Sequence, residues 1–165
     1  MPLMNMESIL NDAQANSYAV GAFNILNHLT AAAAIQAAEQ SCSPIIIQIS
    51  TKTVKQMGLN ACVEAVAGPA GRASIPVGLH LDHCTDLTLA KACADAGFTS
   101  IMFDGSHLPF EENIRLTAEM VEYAAPLNIS VEGELGAIAG VEDNISVSSG
   151  DARMAGVEAS KEFTR

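Results

Sequence analysis

The stretch Pro76-Val77-Gly78-Leu79-His80-Leu81-Asp82-His83 is an apolar strand pattern that leads directly into charged side chains. In a chain with four histidines, an aspartate and a histidine at a strand end are typical of a metal-assisted acid/base site. Asp82 and His83 would face opposite ways on a regular strand, so both reach one site only if the strand ends or bends there. His80 lies two residues before Asp82 and would point to the same face of the strand. It would lie deeper than Asp82, which favours a supporting role.

The remainder of the chain alternates between strand and helix patterns, which predicts a parallel sheet with right-handed crossovers. No internal linker interrupts the alternation, so we predict a single domain over residues 1–165. Strands are predicted at residues 18–23, 44–49, 76–81 and 99–103, with a fifth beginning at 128–131. Helices are predicted at residues 6–15, 28–40, 59–66, 87–96, 109–125 and 157–163. Residues 136–150, rich in Gly, Ser and Asp, are interpreted as a mobile loop.

Two of the predicted helices carry further signals. Asp86 is a suitable N-cap, and Gly97 a suitable residue just past the C-terminus, for the helix between them. In the helix that opens at Pro109, four apolar side chains recur at helical spacing. We therefore predict that one apolar face of this helix consists of Ile114, Ala118, Val121 and Ala125.

Two α/β architectures fit five strand-helix units. One is an open, doubly wound sheet, and the other is part of a (β/α)₈ TIM barrel, which takes about 250 residues when complete. The third, fourth and fifth predicted strands each end in an acidic residue, namely Asp82, Asp104 and Glu134. Catalytic groups at the C-terminal ends of neighbouring strands are typical of a barrel. The turn after the first strand lacks the glycine-rich pattern of many open sheets, which also favours the barrel.

The composition of the chain argues against several classes of function. Hydrophobic residues make up 49% of the chain and charged residues 16%, which predicts an ordered globular protein. A net charge of −11 argues against nucleic acid and anionic membranes as partners. The four cysteines have no CxxC spacing, and the sequence shows neither a signal peptide nor a bilayer-spanning apolar stretch. We therefore predict a cytoplasmic protein with reduced thiols.

Polar residues at the other strand ends complete a candidate site. Asp104 and Glu134 offer oxygen ligands that together could hold a second cation or orient His83, although such acids also serve as caps or as solvated loop acids. Glu142, within the predicted loop, is a candidate base that a closing loop delivers, or a solvated acid. Asn24 and Ser50 follow the first two strands, where each could donate a hydrogen bond to a substrate oxygen.

Longer stretches around these residues resemble the class II, metal-dependent ketose-bisphosphate aldolases, closest to the fructose-bisphosphate and tagatose-bisphosphate branch. The resemblance implies a (β/α)₈ barrel of which this chain holds the N-terminal part. The matching stretches are residues 18–24, His80-Leu81-Asp82-His83, residues 96–107, Pro109-Phe110-Glu111-Glu112-Asn113, residues 131–136 and Gly140-Val141-Glu142-Asp143.

The resemblance also implies a role for each candidate residue. Asp82 is similar to the proton donor of the family and His83 to a ligand of its catalytic zinc. Asp104 and Glu134 resemble ligands of a second divalent cation. By the same resemblance, Ser50 contacts the glyceraldehyde-phosphate half of the substrate, Asn24 lies in the substrate site, and Glu142 is a loop acid for proton transfer.

The implied reaction is the reversible, zinc-dependent cleavage of fructose 1,6-bisphosphate to glycerone phosphate and glyceraldehyde 3-phosphate, in a homo-oligomeric glycolytic enzyme. Tagatose bisphosphate is an alternative substrate. Two non-catalytic alternatives remain open: a truncated barrel that acts only as an oligomer or with a partner fragment, and an open-sheet binding module. A strand order other than sequential would favour the binding module.

One departure from the family pattern generates a prediction. In the family, two further zinc-binding histidines and the phosphate loops come from later strands, whereas no histidine follows His107 here. A catalytic zinc takes three protein ligands and one open position. We expect a polypeptide limited to residues 1–165 to have little or no aldolase activity. A coupled assay checks this, and robust EDTA-sensitive cleavage by the purified polypeptide would contradict it.

Overall fold

Five parallel strands form the main sheet of this computed structural model, which describes residues 3–137, 139–142, 145–150 and 152–164. Two short antiparallel strands form a separate ladder. The strands are β1 (Gly21–Asn24), β2 (Ile45–Ser50), β3 (Val77–Cys84), β4 (Ser100–Phe103), β5 (Ser130–Gly133), β6 (Gly140–Glu142) and β7 (Ile145–Val147). The α-helices are α1 (Met6–Asn16), α2 (His28–Gln40), α3 (Thr51–Met57), α4 (Leu59–Arg72), α5 (Leu87–Ala96), α6 (Phe110–Ala124) and α7 (Val157–Phe163).

The strand order decides between the two predicted architectures. The main sheet runs β1-β2-β3-β4-β5, so each strand pairs with its neighbour in sequence. A doubly wound sheet reverses its strand order at a switch point, and no reversal occurs in this sheet. Sequential parallel strands with intervening helices are the arrangement of a (β/α)₈ barrel.

The main hydrophobic core lies between the sheet and the helices. Alternate residues of the central strands, such as Ile47, Leu79 and Ile101, are fully buried on this side. They pack with small helix residues, including Ala31 and Ala90, which allow a close approach of helix to sheet. The opposite side of the same strands carries many polar side chains, and the candidate site is on that side.

The amino-terminal edge of the sheet is covered by α1 and the residues before it. The Met4 backbone N–H donates to the Val77 carbonyl at 2.9 Å. The Asn5 side chain caps α1 and also donates to the Asn128 carbonyl at 2.8 Å, ahead of β5. These contacts occupy the amino-terminal strand ends and leave the carboxyl-terminal ends for the site.

Two helix predictions were incomplete. The sequence patterns did not reveal α3, whose N-cap is Ser50 at the end of β2. The helix predicted at 59–66 extends to Arg72 and contains Pro69, which lacks a backbone N–H and disfavours helix interiors. Val66 and Ala70 are fully buried in the core on either side of Pro69. Their packing offsets the unfavourable helix propensity of proline, which is about 3 kcal/mol relative to alanine.

The predicted apolar face of α6 was wrong. Of its members, Ala118 and Ala125 are exposed and Val121 is 48% exposed. The buried face consists instead of Asn113, Thr117, Met120 and Ala124. The spacing of apolar residues predicted the wrong face because the buried face includes two polar side chains. These are Asn113 and Thr117, which hydrogen-bond to each other.

Two strand predictions and one loop prediction also differ from the structure. The first strand begins at Gly21 and not at Tyr18, while β3 continues past residue 81 to Cys84. Residues 136–150 were interpreted as a loop, but they include the paired strands β6 and β7. Among the described residues, no helix is long and apolar enough to cross a membrane.

A pair of alanine substitutions tests the position of the core. Ile47→Ala removes a fully buried side chain between sheet and helices and should lower the free energy of unfolding by about 2–5 kcal/mol. Leu26→Ala removes a side chain that is 71% exposed, and its effect should stay within about 0.5 kcal/mol. Equal effects of the two substitutions in urea-induced unfolding would contradict this arrangement.

Candidate metal and acid-base site

The site begins at a bend in β3. The pairing of β3 with β4 shifts between Leu81 and Cys84, and His83 adopts a left-handed backbone conformation with φ of 48°. For a non-glycine residue, such a conformation costs about 1–3 kcal/mol of free energy. The irregularity breaks the strict alternation of side chains, so Asp82 and His83 both lie at the carboxyl-terminal end of the sheet. The strand therefore bends at the position where the sequence required it.

His83 lies between the acidic residues that follow β4 and β5. Its Nδ1 atom is 3.2 Å from Asp104 Oδ2 and 3.3 Å from Glu134 Oε2. Asp104 is buried, and its other oxygen accepts hydrogen bonds from the Ser106 hydroxyl at 2.6 Å and the Ser106 backbone N–H at 3.1 Å. The carboxyl-terminal ends of three consecutive strands thus converge on one imidazole.

The charges of this cluster follow from its contacts. The hydrogen bond with Asp104 raises the pKa of His83 to about 9, against the opposing effect of burial. Burial alone would raise the pKa of Asp104, but hydrogen bonds from His83 and Ser106 outweigh it and lower that pKa to about 2. At neutral pH without a cation, His83 is therefore an imidazolium beside ionised Asp104.

The cluster fits a divalent cation. His83, Asp104 and Glu134 each offer one ligand atom, and these atoms all lie within 4.8 Å of one another. Imidazole nitrogen and carboxylate oxygen suit zinc and similar ions. Three arrangements are compatible with the contacts. In the first, all three residues bind one cation. In the second, His83 binds one cation and the two carboxylates bind another. In the third, the carboxylates accept the Nδ1 proton and orient Nε2 of His83 toward the metal.

Asp82 is held by two side-chain amides. Asn24 Nδ2 donates to Asp82 Oδ2 at 2.6 Å, and Gln48 Nε2 donates to Asp82 Oδ1 at 2.8 Å. Because each carboxylate oxygen accepts one bond, the orientation of the carboxylate is defined. Asn24 was predicted from the sequence, whereas Gln48 was not. Gln48 could have been identified because it is the single polar residue in the run Ile45-Ile46-Ile47-Gln48-Ile49. It also has the same strand parity as Ser50.

His80 lies one layer below Asp82. It is 3% exposed, and burial lowers its pKa to about 4, so it is neutral at physiological pH. Its Nδ1 atom lies 2.8 Å from Ser100 Oγ, and its Nε2 atom lies 3.5 Å from Glu132 Oε2. These contacts place His80 in the support beneath the site, as its parity and depth in the sequence indicated.

Ser50 and Glu142 are two further predicted site residues. Ser50 lies at the end of β2, where its Oγ accepts a hydrogen bond from the Thr53 backbone N–H at 3.4 Å and caps α3. The backbone of Glu142 is in β6, opposite Ile145. The side chain of Glu142, like residues Asp143 and Asn144, lies outside the described part of the structure.

Comparison with known proteins identifies the family. The family model for class-II fructose-bisphosphate aldolase matches residues 4–165 of the chain. The chain belongs to this family. Its members are metal-dependent aldolases, and the metal-dependence agrees with the donor set of the cluster.

Individual relatives give the same result. A fructose-bisphosphate aldolase from Geobacillus stearothermophilus is 44% identical over 148 residues, which are 88% of this chain and 52% of that protein. A 6-phospho-5-dehydro-2-deoxy-D-gluconate aldolase from Halalkalibacterium halodurans is 42% identical over 148 residues, 88% of this chain and 51% of that protein. The chain therefore spans about half the length of the curated relatives it matches.

Solved structures confirm the barrel prediction. A Coccidioides immitis protein that was assigned as a fructose-1,6-bisphosphate aldolase superposes with a TM-score of 0.85 at 36% identity. The match covers 96% of this chain and 56% of that chain. The five strand-helix units are thus part of an aldolase (β/α)₈ barrel.

The charge state of His83 can be measured by NMR. In the metal-free protein, the His83 imidazole should titrate with a pKa of about 9, and Asp104→Asn should lower that pKa because it removes the largest cause. The folded pKa exceeds the ordinary value of 6.5, so the contribution of His83 to stability is complete below pH 6.5 and is lost as the pH rises through 9. A wild-type pKa near 6.5 would contradict the contact with Asp104.

Proposed function

We propose that this protein cleaves a phosphorylated ketose by zinc-dependent, reversible aldol chemistry. The observation that carries the proposal is the position of the cation cluster beside Asp82, whose carboxylate is oriented by Asn24 and Gln48. Family membership and the names of the relatives support it.

His83 would hold the catalytic zinc, and Asp104 and Glu134 would hold a second divalent cation. When bound, zinc supplies a Lewis acid that polarises the substrate carbonyl. The imidazolium proton of His83 must leave when a cation binds, and the neighbouring carboxylates then compensate the charge of the metal. No lysine Schiff base is required for this chemistry.

Asp82 would exchange the proton on the C4 oxygen of the substrate. During cleavage the C3–C4 bond breaks and C4 becomes an aldehyde, so the C4 hydroxyl must lose its proton to a base. In the condensation direction the same group returns the proton. The two amide donors fix both carboxylate oxygens of Asp82, and in the cleavage direction Asp82 would act as the base. Glu142 is proposed as a second acid/base that its loop supplies.

Asn24 and Ser50 would contact the substrate. Asn24 is exposed at the end of β1 and already bonds to Asp82, so a substrate hydroxyl near Asp82 also lies near this amide. Ser50 is proposed to bind the glyceraldehyde-phosphate half. A substrate contact would either replace the hydrogen bond by which Ser50 caps α3 or be made in addition to it.

Fructose 1,6-bisphosphate is the proposed substrate because the Geobacillus relative carries that name. A second candidate is 6-phospho-5-dehydro-2-deoxy-D-gluconate, because the Halalkalibacterium relative named for it is nearly as similar over an equally long match. These names favour either substrate over tagatose bisphosphate. A homo-oligomeric state, a role in glycolysis and a cytoplasmic location stay predictions.

Activity of the intact protein tests the proposal. Cleavage of fructose 1,6-bisphosphate should be abolished by EDTA and restored by zinc, in an assay run in parallel with the second candidate substrate. Asp82→Asn keeps the shape of the side chain but removes the base, so kcat should fall by about 10²–10⁴-fold. Bound zinc, measured by elemental analysis, should be unchanged.

The matched control is Asp95→Asn, which changes an aspartate on α5 that bonds to Tyr123 far from the site. It should leave kcat near the wild-type value. Wild-type activity in Asp82→Asn, or EDTA-resistant cleavage by the wild type, would reject the assigned roles.

A further inference from the structure

Asn113 is a buried polar residue in the first turn of α6. It is 2% exposed, and it lies on the helix face that apolar periodicity did not predict. A buried amide without hydrogen bonds is unfavourable, so its partners explain its presence.

Both ends of the Asn113 amide are bonded. Its Nδ2 donates to the backbone carbonyl of Glu134 at 2.8 Å, and its Oδ1 accepts from the Thr117 hydroxyl at 3.1 Å. Thr117 lies one turn further along α6 and is itself buried. The hydroxyl orients the amide, and the amide holds the backbone of an acidic site residue.

Asn113 also contacts the chain after β4. A β-carbon added at Gly105 would collide with Asn113 Oδ1 and would lie 2.7 Å from Asn113 Cγ. Gly105 directly follows Asp104, so the absence of a side chain there allows the amide to pack against the segment that carries this carboxylate. One side chain therefore touches the backbone beside both acidic residues of the cluster.

The strand ladder alone does not fix these two residues relative to each other. Pairing of β4 with β5 ends at Phe103 and Gly133, one residue before each acid. The Asp104 backbone N–H bonds to Cys84 of β3, on the side away from β5. On the β5 side, the Asn113 amide holds the Glu134 carbonyl and packs against Gly105.

We propose that Asn113 is a positioning residue that sets the separation of Asp104 and Glu134 and thereby the geometry of the cation site. This inference rests on the proposed function, because it presumes that the cluster binds a cation. Loss of the amide would leave the Glu134 carbonyl and the Thr117 hydroxyl without this partner. Glu134 would then shift relative to Asp104.

Cobalt(II) binding to the intact, metal-depleted protein tests the inference, because the visible absorption of Co²⁺ reports the arrangement of its ligands. Asn113→Ala should weaken Co²⁺ binding by about 10–100-fold, as is typical when the support of a metal ligand is lost. At saturating Co²⁺ its absorption bands should also shift. Gly105→Ala, which pushes a methyl group into the amide, should produce the same two changes.

Tyr123→Phe is the matched control on the same helix. It removes hydrogen bonds of 2.8 and 2.9 Å from α6 to Asp95 and so destabilises the packing of α6 away from the site. It should lower the melting temperature and leave both the Co²⁺ affinity and the spectrum unchanged. Asn113→Asp, which keeps the volume but loses the donor to Glu134, replaces Asn113→Ala if that variant does not fold.

The outcomes separate this inference from the proposed function. If Asp104→Ala and Glu134→Ala weaken Co²⁺ binding but the Asn113 and Gly105 variants match the wild type, the positioning role is rejected and the cation site stands. If Asp104→Ala and Glu134→Ala have no effect on Co²⁺ binding, the cation site and the positioning role both fail. Weaker binding with an unshifted spectrum would also reject the positioning role.

Discussion

The hydrogen-bonded ladder of parallel strands from β1 to β5 is the constraint on which the site depends. Parallel strands end at the same edge of a sheet, so residues far apart in sequence arrive side by side. Asn24 ends β1, Asp82 lies in β3 and Glu134 follows β5, yet all three border the candidate site. The cover of α1 at the amino-terminal edge leaves only the opposite edge for chemistry.

The ladder is interrupted once, in β3, where the candidate site lies. The irregularity in β3 and the left-handed conformation of His83 bring two sequence neighbours to the same edge. The conformation is unfavourable in isolation, and the ion pair of His83 with Asp104 offsets it in the metal-free protein. Local strain and local charge are therefore linked at a single residue. A cation would take over the stabilising role of the imidazolium proton.

Polar residues on buried surfaces support the site from below and from the side. His80 bonds to Ser100 beneath Asp82, and Asn113 bonds to Glu134 from α6. Sequence periodicity treats buried faces as apolar, so it identified His80 only through its parity with Asp82 and missed the face that contains Asn113. Gln48 was missed for the same reason. A single polar residue in an apolar strand does not indicate a role until its partner, here Asp82, is known.

The strand order, which separates a barrel from an open sheet, came from the structure. The sequence alone predicted the strand-helix alternation, a parallel sheet and the family, because periodicity, helix caps and contiguous motifs are local properties. It also determined which acidic and histidine residues end strands β3, β4 and β5. The folded structure was needed to show that α4 continues through Pro69, which face of α6 is buried, and which side chains bond to Asp82. Those outcomes depend on packing and on hydrogen bonds between residues distant in sequence, and no local pattern encodes them.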